Sequence, residues 1–384
     1  MKRSRIAVVS LFYGESGGAE LFASEVTDRL AESGEFDVHV LAHRWKDRTG
    51  KIAFHRIDFR KWPRSLQKFS LSLSVRKVAA VEGFDLVHTQ ELLDAADVVT
   101  FGAPVALWPK VQGKRGVQLR TEVDRRIERR LLLSNRLQCI LANSNQSARW
   151  LMAEYPELAG RPVEVETVYP GVDLQRFTPP SPNERGAGRA ELADRFGWNV
   201  SDPVGLFVGN YWDHKGLGTA LRAIRILRGK SCPVRLLVMG NDRERARWLS
   251  VIVGLGLAVT DVAFLGEVAE GREAYFKASD FLVLLSRFES FGTVVLEALA
   301  SGLPVILSGR VPAREILPQD AGSLIEDPMD FLGASEAMEE WIRNPAAREK
   351  LASQAAQVAR AYSWEAAAEK TAAVYRDCLA RKGE

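Results

Sequence analysis

Residues 281–308 read FLVLLSRFESFGTVVLEALASGLPVILS, and the fold is decided by how this stretch is read. Phe281 to Ser286 is an apolar run of strand length, and Arg287 to Ser290 is a polar break. Phe291 to Ser301 reads as helix, with Gly302 as a stop before a second apolar run from Pro304. Strand, loop, helix, strand is one βαβ unit. Ser290 is the expected N-cap, which directs the backbone N–H groups of Phe291, Gly292 and Thr293 out of the helix start, where the helix dipole favours an anion. Glu289 precedes that start and Glu297 follows about two turns into the helix. A phosphate cradle with a carboxylate on either side is the first chemical expectation.

The same alternation extends upstream. Strands are expected at Val204 to Val208, Val234 to Met239 and Val262 to Leu265, with helices at Leu217 to Arg228, Arg243 to Gly254 and Arg272 to Ala278. Such alternation predicts a parallel sheet covered on both faces, with ligands beyond the carboxyl ends of its strands. That rule lines up Gly209 to Gly216, Gly240 to Asp242, Gly266 to Val268 and Arg287 to Thr293 along one edge. The first half repeats the scheme. Arg5 to Leu11 reads as a strand, Gly14 to Gly18 as a glycine-rich turn, Ala19 to Ser33 as a helix ending at Gly34, and Asp37 to Ala42 as the next strand. The turn lacks G-x-G-x-x-G spacing and the second strand ends in Ala-His-Arg, so a nicotinamide cofactor is not expected. Further strands are read at Phe84 to His88, Leu137 to Ala142 and Val165 to Tyr169. Residues 178–190, polar and rich in Pro and Gly, read as a linker.

At 384 residues, 46% apolar and 26% charged, the chain suits a soluble protein of two domains, each of roughly 150 to 200 residues. No apolar run approaches the roughly 18 residues of a membrane span, and the start gives way to glycine-rich loop too early for a signal peptide, so a cytoplasmic location is expected. Cys139, Cys232 and Cys378 have no metal-ligand spacing and are expected as buried reduced thiols. The net charge of +3 is uneven, since residues 1–180 hold 27 Lys/Arg against 22 Asp/Glu. Residues 60–77 carry six basic residues and no acid, with Trp62, Leu66, Phe69 and Leu73 at helical spacing; residues 110–136 carry nine basic and three acidic residues. Each is by itself an ordinary solvated face. Two of them in one half point to an anionic partner, such as a membrane surface or a phosphorylated glycan, more than to nucleic acid.

Glu289-Ser290-Phe291-Gly292 with Glu297, followed by Ala300-Ser301-Gly302-Leu303-Pro304-Val305, resembles the E-x₇-E signature of the retaining GT4 glycosyltransferases. The resemblance runs along the whole chain through the glycine-rich loop, Tyr169-Pro170-Gly171-Val172-Asp173, Lys215-Gly216 and Tyr362-Ser363-Trp364-Glu365. Val238 to Arg243 and the short Lys215 loop look most similar to the branch containing lipopolysaccharide core glucosyltransferases. The resemblance implies a GT-B fold: two Rossmann-like parallel-sheet α/β domains facing each other across a cleft, with a C-terminal helix crossing back to the first. The expected division is 1–177 with 363–384, an acceptor domain, and 191–362, a donor domain.

It also implies the chemistry. A hexose would move with retention from a nucleotide diphosphate sugar, a UDP-sugar by preference, to a glycan or lipid-linked acceptor such as a lipopolysaccharide core. No cofactor or metal is expected, because Lys215 would neutralise the leaving diphosphate. Gly292 and Thr293 would support the phosphates or the sugar next to Phe291, Glu289 would orient the sugar, and Glu297 would hold the ribose. Gly240, Gly266 and Val268 would border the base, and Gly17 and Gly18 would approach the diphosphate. Asn210 stands where many members carry Arg, so His214 or Arg287 is the expected substitute charge. The usual first-domain His or Asp is missing near Thr100 to Ala103, which leaves Asp94, Asp97, His88 and Glu91 as candidates, the two aspartates for catalysis. Two rival readings stay open: a UDP-sugar 2-epimerase-like enzyme of the same fold, and a non-catalytic nucleotide-sugar-binding protein.

Overall fold

The computed structural model describes residues 3–15, 17–60, 62, 66–107, 119–318 and 321–383. Ser16 of the glycine-rich turn, Lys61 and residues 63–65 of the first basic stretch, and residues 110–118 of the second lie outside them. The chain forms two compact units, Met1–Gly171 with Trp364–Glu384, and Val172–Ser363.

The main sheet of the first unit has seven described parallel strands, in the spatial order Ala53–Arg56, Asp37–Ala42, Arg5–Val9, Leu86–Thr89, Val98–Phe101, Cys139–Ala142 and Glu164–Thr167. The central Arg5–Val9 is buried from Ile6 onward, as its unbroken apolar run requires of a strand covered on both faces. Chain order reverses between Arg5–Val9 and Leu86–Thr89, which makes their carboxyl ends a topological switch point. Ala53–Arg56 has no apolar run and escaped the sequence reading; it is an edge strand with exposed ends. The helix Gly18–Ser33 stops at Gly34 in the left-handed conformation, as expected. Trp364–Gly383 packs beside it. Trp364 meets Phe22 edge-to-face at 6.2 Å, Tyr375 meets Phe36 at 5.7 Å, and Cys378 is buried in the same core. Cys139 shares that core, whereas Cys232 is only half-buried; all three are free thiols.

Trp62, Leu66, Phe69 and Leu73 of the first basic stretch are not buried. In the helix Gln67–Glu82, Leu71, Ser72 and Val75 point inward, while Leu66, Phe69 and Leu73 are 45%, 53% and 43% exposed and Trp62 is 83% exposed.

The second unit has six described parallel strands in the order Val262–Gly266, Arg235–Met239, Val204–Val208, Phe281–Leu284, Val305–Ser308 and Gly322–Ile325. Chain order reverses between Val204–Val208 and Phe281–Leu284, so this unit too has a switch point at its centre. Residues 178–190 are not a linker. They enter the helix Pro182–Phe196, started by a capping box in which the Ser181 hydroxyl accepts from the Glu184 N–H at 3.2 Å and the Glu184 carboxylate accepts from the Ser181 N–H at 2.8 Å. Pro182 suits the first turn, where its missing N–H costs nothing. Among the described residues no helix is long and apolar enough to cross a membrane.

Asp280, buried at the start of Phe281–Leu284, ties this unit together. Its carboxylate accepts the Val204 N–H at 2.8 Å and pairs with Arg185 at 2.7 Å, Arg348 at 2.9 Å and Arg189. Burial pushes this carboxyl up, but Arg189, Arg348 and Arg185 outweigh it and hold the group below its ordinary range. Replacing Asp280 by Asn leaves three arginines around an uncharged amide and should cost about 3–5 kcal/mol of stability at neutral pH, read by urea denaturation. The ionised carboxylate stabilises in full above its unfolded value of 3.8 and ceases to do so as pH falls through the lower folded value. The Asp280→Asn protein should therefore lack that acid-sensitive component; an unchanged midpoint at pH 7 would contradict the assignment.

Candidate functional site

In the second unit the loops at the switch point are built around two glycines. Gly216, at φ 85°, caps the helix Leu217–Gly229, and a Cβ there would stand 2.2 Å from the Leu285 carbonyl oxygen. This close approach brings the residue before it, Lys215, against the end of Phe281–Leu284. The Lys215 ammonium pairs with the Glu289 carboxylate, whose Oε1 also accepts from the Ser286 hydroxyl at 2.9 Å. Glu289 is buried and Lys215 partly so. The expected pair of charges at the helix start is thus one joined ion pair.

Gly292, at φ 100°, caps the helix Thr293–Ala300. The helix therefore starts two residues later than the sequence suggested, and Ser290 is not its N-cap. Phe291 is buried and its carbonyl accepts from the Ala313 N–H at 2.9 Å, so it belongs to the loop. The amides that this helix start directs outward are those of Thr293 and Val294.

The neighbouring loops are tied side chain to backbone. The Asn210 carbonyl accepts from the Asn241 N–H, and the Asp242 carboxylate from the Trp212 N–H, both at 2.7 Å. Trp212 is buried and stacks on Phe264 at 4.9 Å. Asn210 is therefore a loop tie. The Gly240 N–H donates to the Gly266 carbonyl at 2.7 Å, and Val268 follows half-buried. His214 does not supply the substitute charge. Its Nε2 donates to the Phe288 carbonyl at 2.9 Å, and burial lowers its pKa, so it is neutral at pH 7. Arg287 pairs with Asp213 at 3.2 Å and keeps its charge on the same edge.

Glu297 lies on the inner side of Thr293–Ala300 and is buried against Arg272, 2.5 Å away. Burial pushes its carboxyl up, and Arg272 and Arg176 offset this only in part. Arg272 went unnoticed in the sequence because a separation of 25 positions between the partners carries no periodic signal.

In the first unit the two aspartates lie at the wrong edge. Asp97 immediately precedes Val98–Phe101, at the amino end of the strand. It is fully buried, accepts the Val87 N–H at 2.7 Å and pairs with Lys382 at 2.7 Å and Arg136 at 2.8 Å. Burial raises this carboxyl, but Arg136 and Lys382 outweigh it and hold it below its ordinary range. Asp94 is buried against Arg76 near the same end. His88 is sealed between Tyr375 at 2.6 Å and Thr100 at 2.8 Å, and burial pushes it down to about 3. The switch point instead presents Glu91 and Glu20. Glu91 accepts from the Leu11 N–H at 3.4 Å and from Lys68 at 2.9 Å. Glu20, beside Gly17 and Gly18 at the start of Gly18–Ser33, has its pKa raised by burial, with Glu91 and Glu15 adding to the rise. A carboxyl with a raised pKa at a switch point is a functional candidate. In the sequence Glu20 looked like one of several acids on a helix.

Residues 16–176 match the family model described as Glycosyltransferase Family 4, and residues 202–343 that of Glycosyl transferases group 1. A D-inositol 3-phosphate glycosyltransferase of Streptosporangium roseum is 27% identical over 98% of this chain and 94% of its own. One of Thermobifida fusca is 32% identical over 62% of this chain, and the match spans 55% of that relative; one of Xylanimonas cellulosilytica is 29% identical over 63%, spanning 58%. The chain thus spans little over half the length of several of these relatives. Among solved structures, WaaG, a glycosyltransferase involved in lipopolysaccharide biosynthesis, aligns with a TM-score of 0.80 at 19% identity, covering 96% of this chain and 99% of that one. Anabaena Alr3699/HepE in complex with UDP-glucose aligns at 0.73 and 18% identity, covering 97% and 99%. At these identities the structural matches bear on the fold alone.

Replacing Gly216 by Ala forces a Cβ onto the Leu285 carbonyl in a conformation that suits only glycine. It should lower the stability of the second unit by about 2–3 kcal/mol, measured by chemical denaturation. A Gly216→Ala protein as stable as the wild type would show that the loop does not need this approach.

Proposed function

Because the chain belongs to glycosyltransferase family 4, with the GT-B fold, we propose that it transfers a hexose with retention from a nucleotide diphosphate sugar, a UDP-sugar by preference. The observation that carries this reading is the Lys215–Glu289 ion pair at the switch point of the second unit. An arriving diphosphate offers Lys215 a stronger anionic partner than one carboxylate and draws the ammonium to the bond that breaks. Glu289, released and still held by Ser286, turns its oxygens to the hydroxyls of the sugar. The Thr293 and Val294 amides face the phosphates, and Arg287 adds charge at the same edge. Glu297, fixed by Arg272, accepts the ribose hydroxyls, and Gly240 and Gly266 to Val268 border the base. Lysine and backbone amides supply the positive charge, so the reading includes no metal ion and no protein nucleophile.

For the acceptor, Glu20 and Glu91 replace Asp94 and Asp97 as the acids to test, since both stand at the carboxyl edge of the first unit. The acceptor is a glycan or lipid-linked glycan, such as a lipopolysaccharide core. A phosphorylated cyclitol is the second reading, favoured by relatives named D-inositol 3-phosphate glycosyltransferases. The outward-facing Trp62, Leu66, Phe69 and Leu73, with Arg76 and Lys77 on the same helix, suit attachment to the anionic inner face of a membrane.

A panel of UDP- and GDP-sugars incubated with acceptor should yield a glycosylated product with the wild type. Glu289→Ala and Glu289→Gln should each lose about 10²-fold or more in turnover while keeping the wild-type circular dichroism. Undiminished transfer by both variants would overturn the assignment, and an epimerised sugar formed without any acceptor would favour the rival enzyme class.

A further inference from the structure

The surface of the first unit has an open cavity of about 500 Å³, lined by exposed arginines, that the transfer reading does not use. It is lined by Arg76 from the helix Gln67–Glu82, by Arg126, Arg129 and Arg130 from the helix Leu119–Leu132, and by Asp94. Its lining thus carries four arginines and one carboxylate, and that carboxylate is paired with Arg76.

The three arginines of the second helix share one face, at i, i+3 and i+4. Like charges at these spacings repel one another and destabilise a helix. The opposite face fixes how they are presented. Glu128, Leu131 and Leu132 are buried there, and the Glu128 carboxylate accepts from the Tyr155 hydroxyl at 2.6 Å and from the Val105 N–H at 3.1 Å. The helix cannot roll to turn these arginines away from Arg76 and Asp94 without breaking these bonds. Partners for two of the three are carboxylates outside the cavity: Arg126 with Glu122 at 3.1 Å and Arg129 with Glu157 at 2.5 Å. Arg130 has no hydrogen bond or ion pair among the described residues. Its fork of donors, with those of Arg76 and Arg126 nearby, matches the oxygens of a phosphate.

We infer that this cavity is a phosphate-binding site, taking a dianionic phosphomonoester, and that it is separate from the transfer site. Asp94 and Ala95 lead into Val98–Phe101 and Ser134 into Cys139–Ala142, so the cavity lies at the amino ends of the strands, on the edge opposite Glu20 and Glu91. The phosphate reaches it on a lipid headgroup or on a soluble molecule. The exposed Leu66, Phe69 and Leu73 lie on the same helix as Arg76 and offer an apolar approach for the first.

The test uses the full chain at fixed ionic strength. Inorganic phosphate, titrated against chloride by calorimetry, and vesicles of phosphatidylcholine with and without phosphatidic acid, followed by co-sedimentation, are compared for the wild type, Arg126→Gln/Arg130→Gln and Lys215→Ala. The double variant should lose a phosphate-binding component, weakened roughly tenfold or more, that Lys215→Ala, altered only at the transfer site, retains. Loss of phosphate binding with unchanged sedimentation identifies a soluble carrier, and loss of the phosphatidic acid preference identifies a lipid. If neither property falls in the double variant, or if phosphate binding falls only in Lys215→Ala, the inference is overturned. Because the two variants alter different units, this site and the transfer reading can fail independently.

Discussion

The second unit depends on one buried charge. Asp280 stands at the amino end of Phe281–Leu284 and bonds the first amide of Val204–Val208, so it fixes the two strands whose carboxyl ends form the switch point. Burying a carboxylate is costly unless it is paired and hydrogen-bonded. Here Arg185 and Arg189 come from the helix Pro182–Phe196 and Arg348 from the helix Pro345–Ala359, so the ion that aligns the strands also gathers two helices onto them. Lys215 and Glu289 follow the other ends of those strands, about a strand's length away. Their meeting is set by this register as much as by their own attraction.

What could be read in the sequence follows from what leaves a local trace. Buried parallel strands leave apolar runs, and Asp37–Ala42 was found to the residue. Glycine stops leave a single letter, as at Gly34. The start of Thr293–Ala300 was misplaced because Ser290 is a good cap by composition, whereas the helix is capped by the left-handed Gly292, and the Phe291 carbonyl before it accepts from the Ala313 N–H. Residues 178–190 looked like linker because proline and glycine are read as breakers, and the Ser181–Glu184 box outweighed them.

The candidate site was legible where its residues are close in sequence. Glu289, Gly292 and Glu297 fall in one βαβ unit, and Lys215 was placed by the rule for strand ends. Arg272, Ser286 and Glu20 were missed because their partners or neighbours are set by folding. Asp94 and Asp97 misled because the connection they occupy crosses from one edge of the sheet to the other within eight residues, and only the three-dimensional structure shows at which end each acid stops. The spacing of Leu66, Phe69 and Leu73 was read as helical and as a solvated face, and the helix Gln67–Glu82 turns Phe69 and Leu73 outward. Periodicity reports a face, and what covers that face is a separate fact.

The helix Trp364–Gly383 has a consequence for how the molecule is made. The core of the first unit needs Trp364, Tyr375 and Cys378, yet all of Val172–Ser363 lies between them and the rest of that unit. During synthesis from the amino end, the second unit is complete while the first still lacks one wall, and the surface around Phe22 and Phe36 waits uncovered. The first unit to begin is therefore the last to close, and the nascent chain is most vulnerable to aggregation or to chaperone capture in that interval.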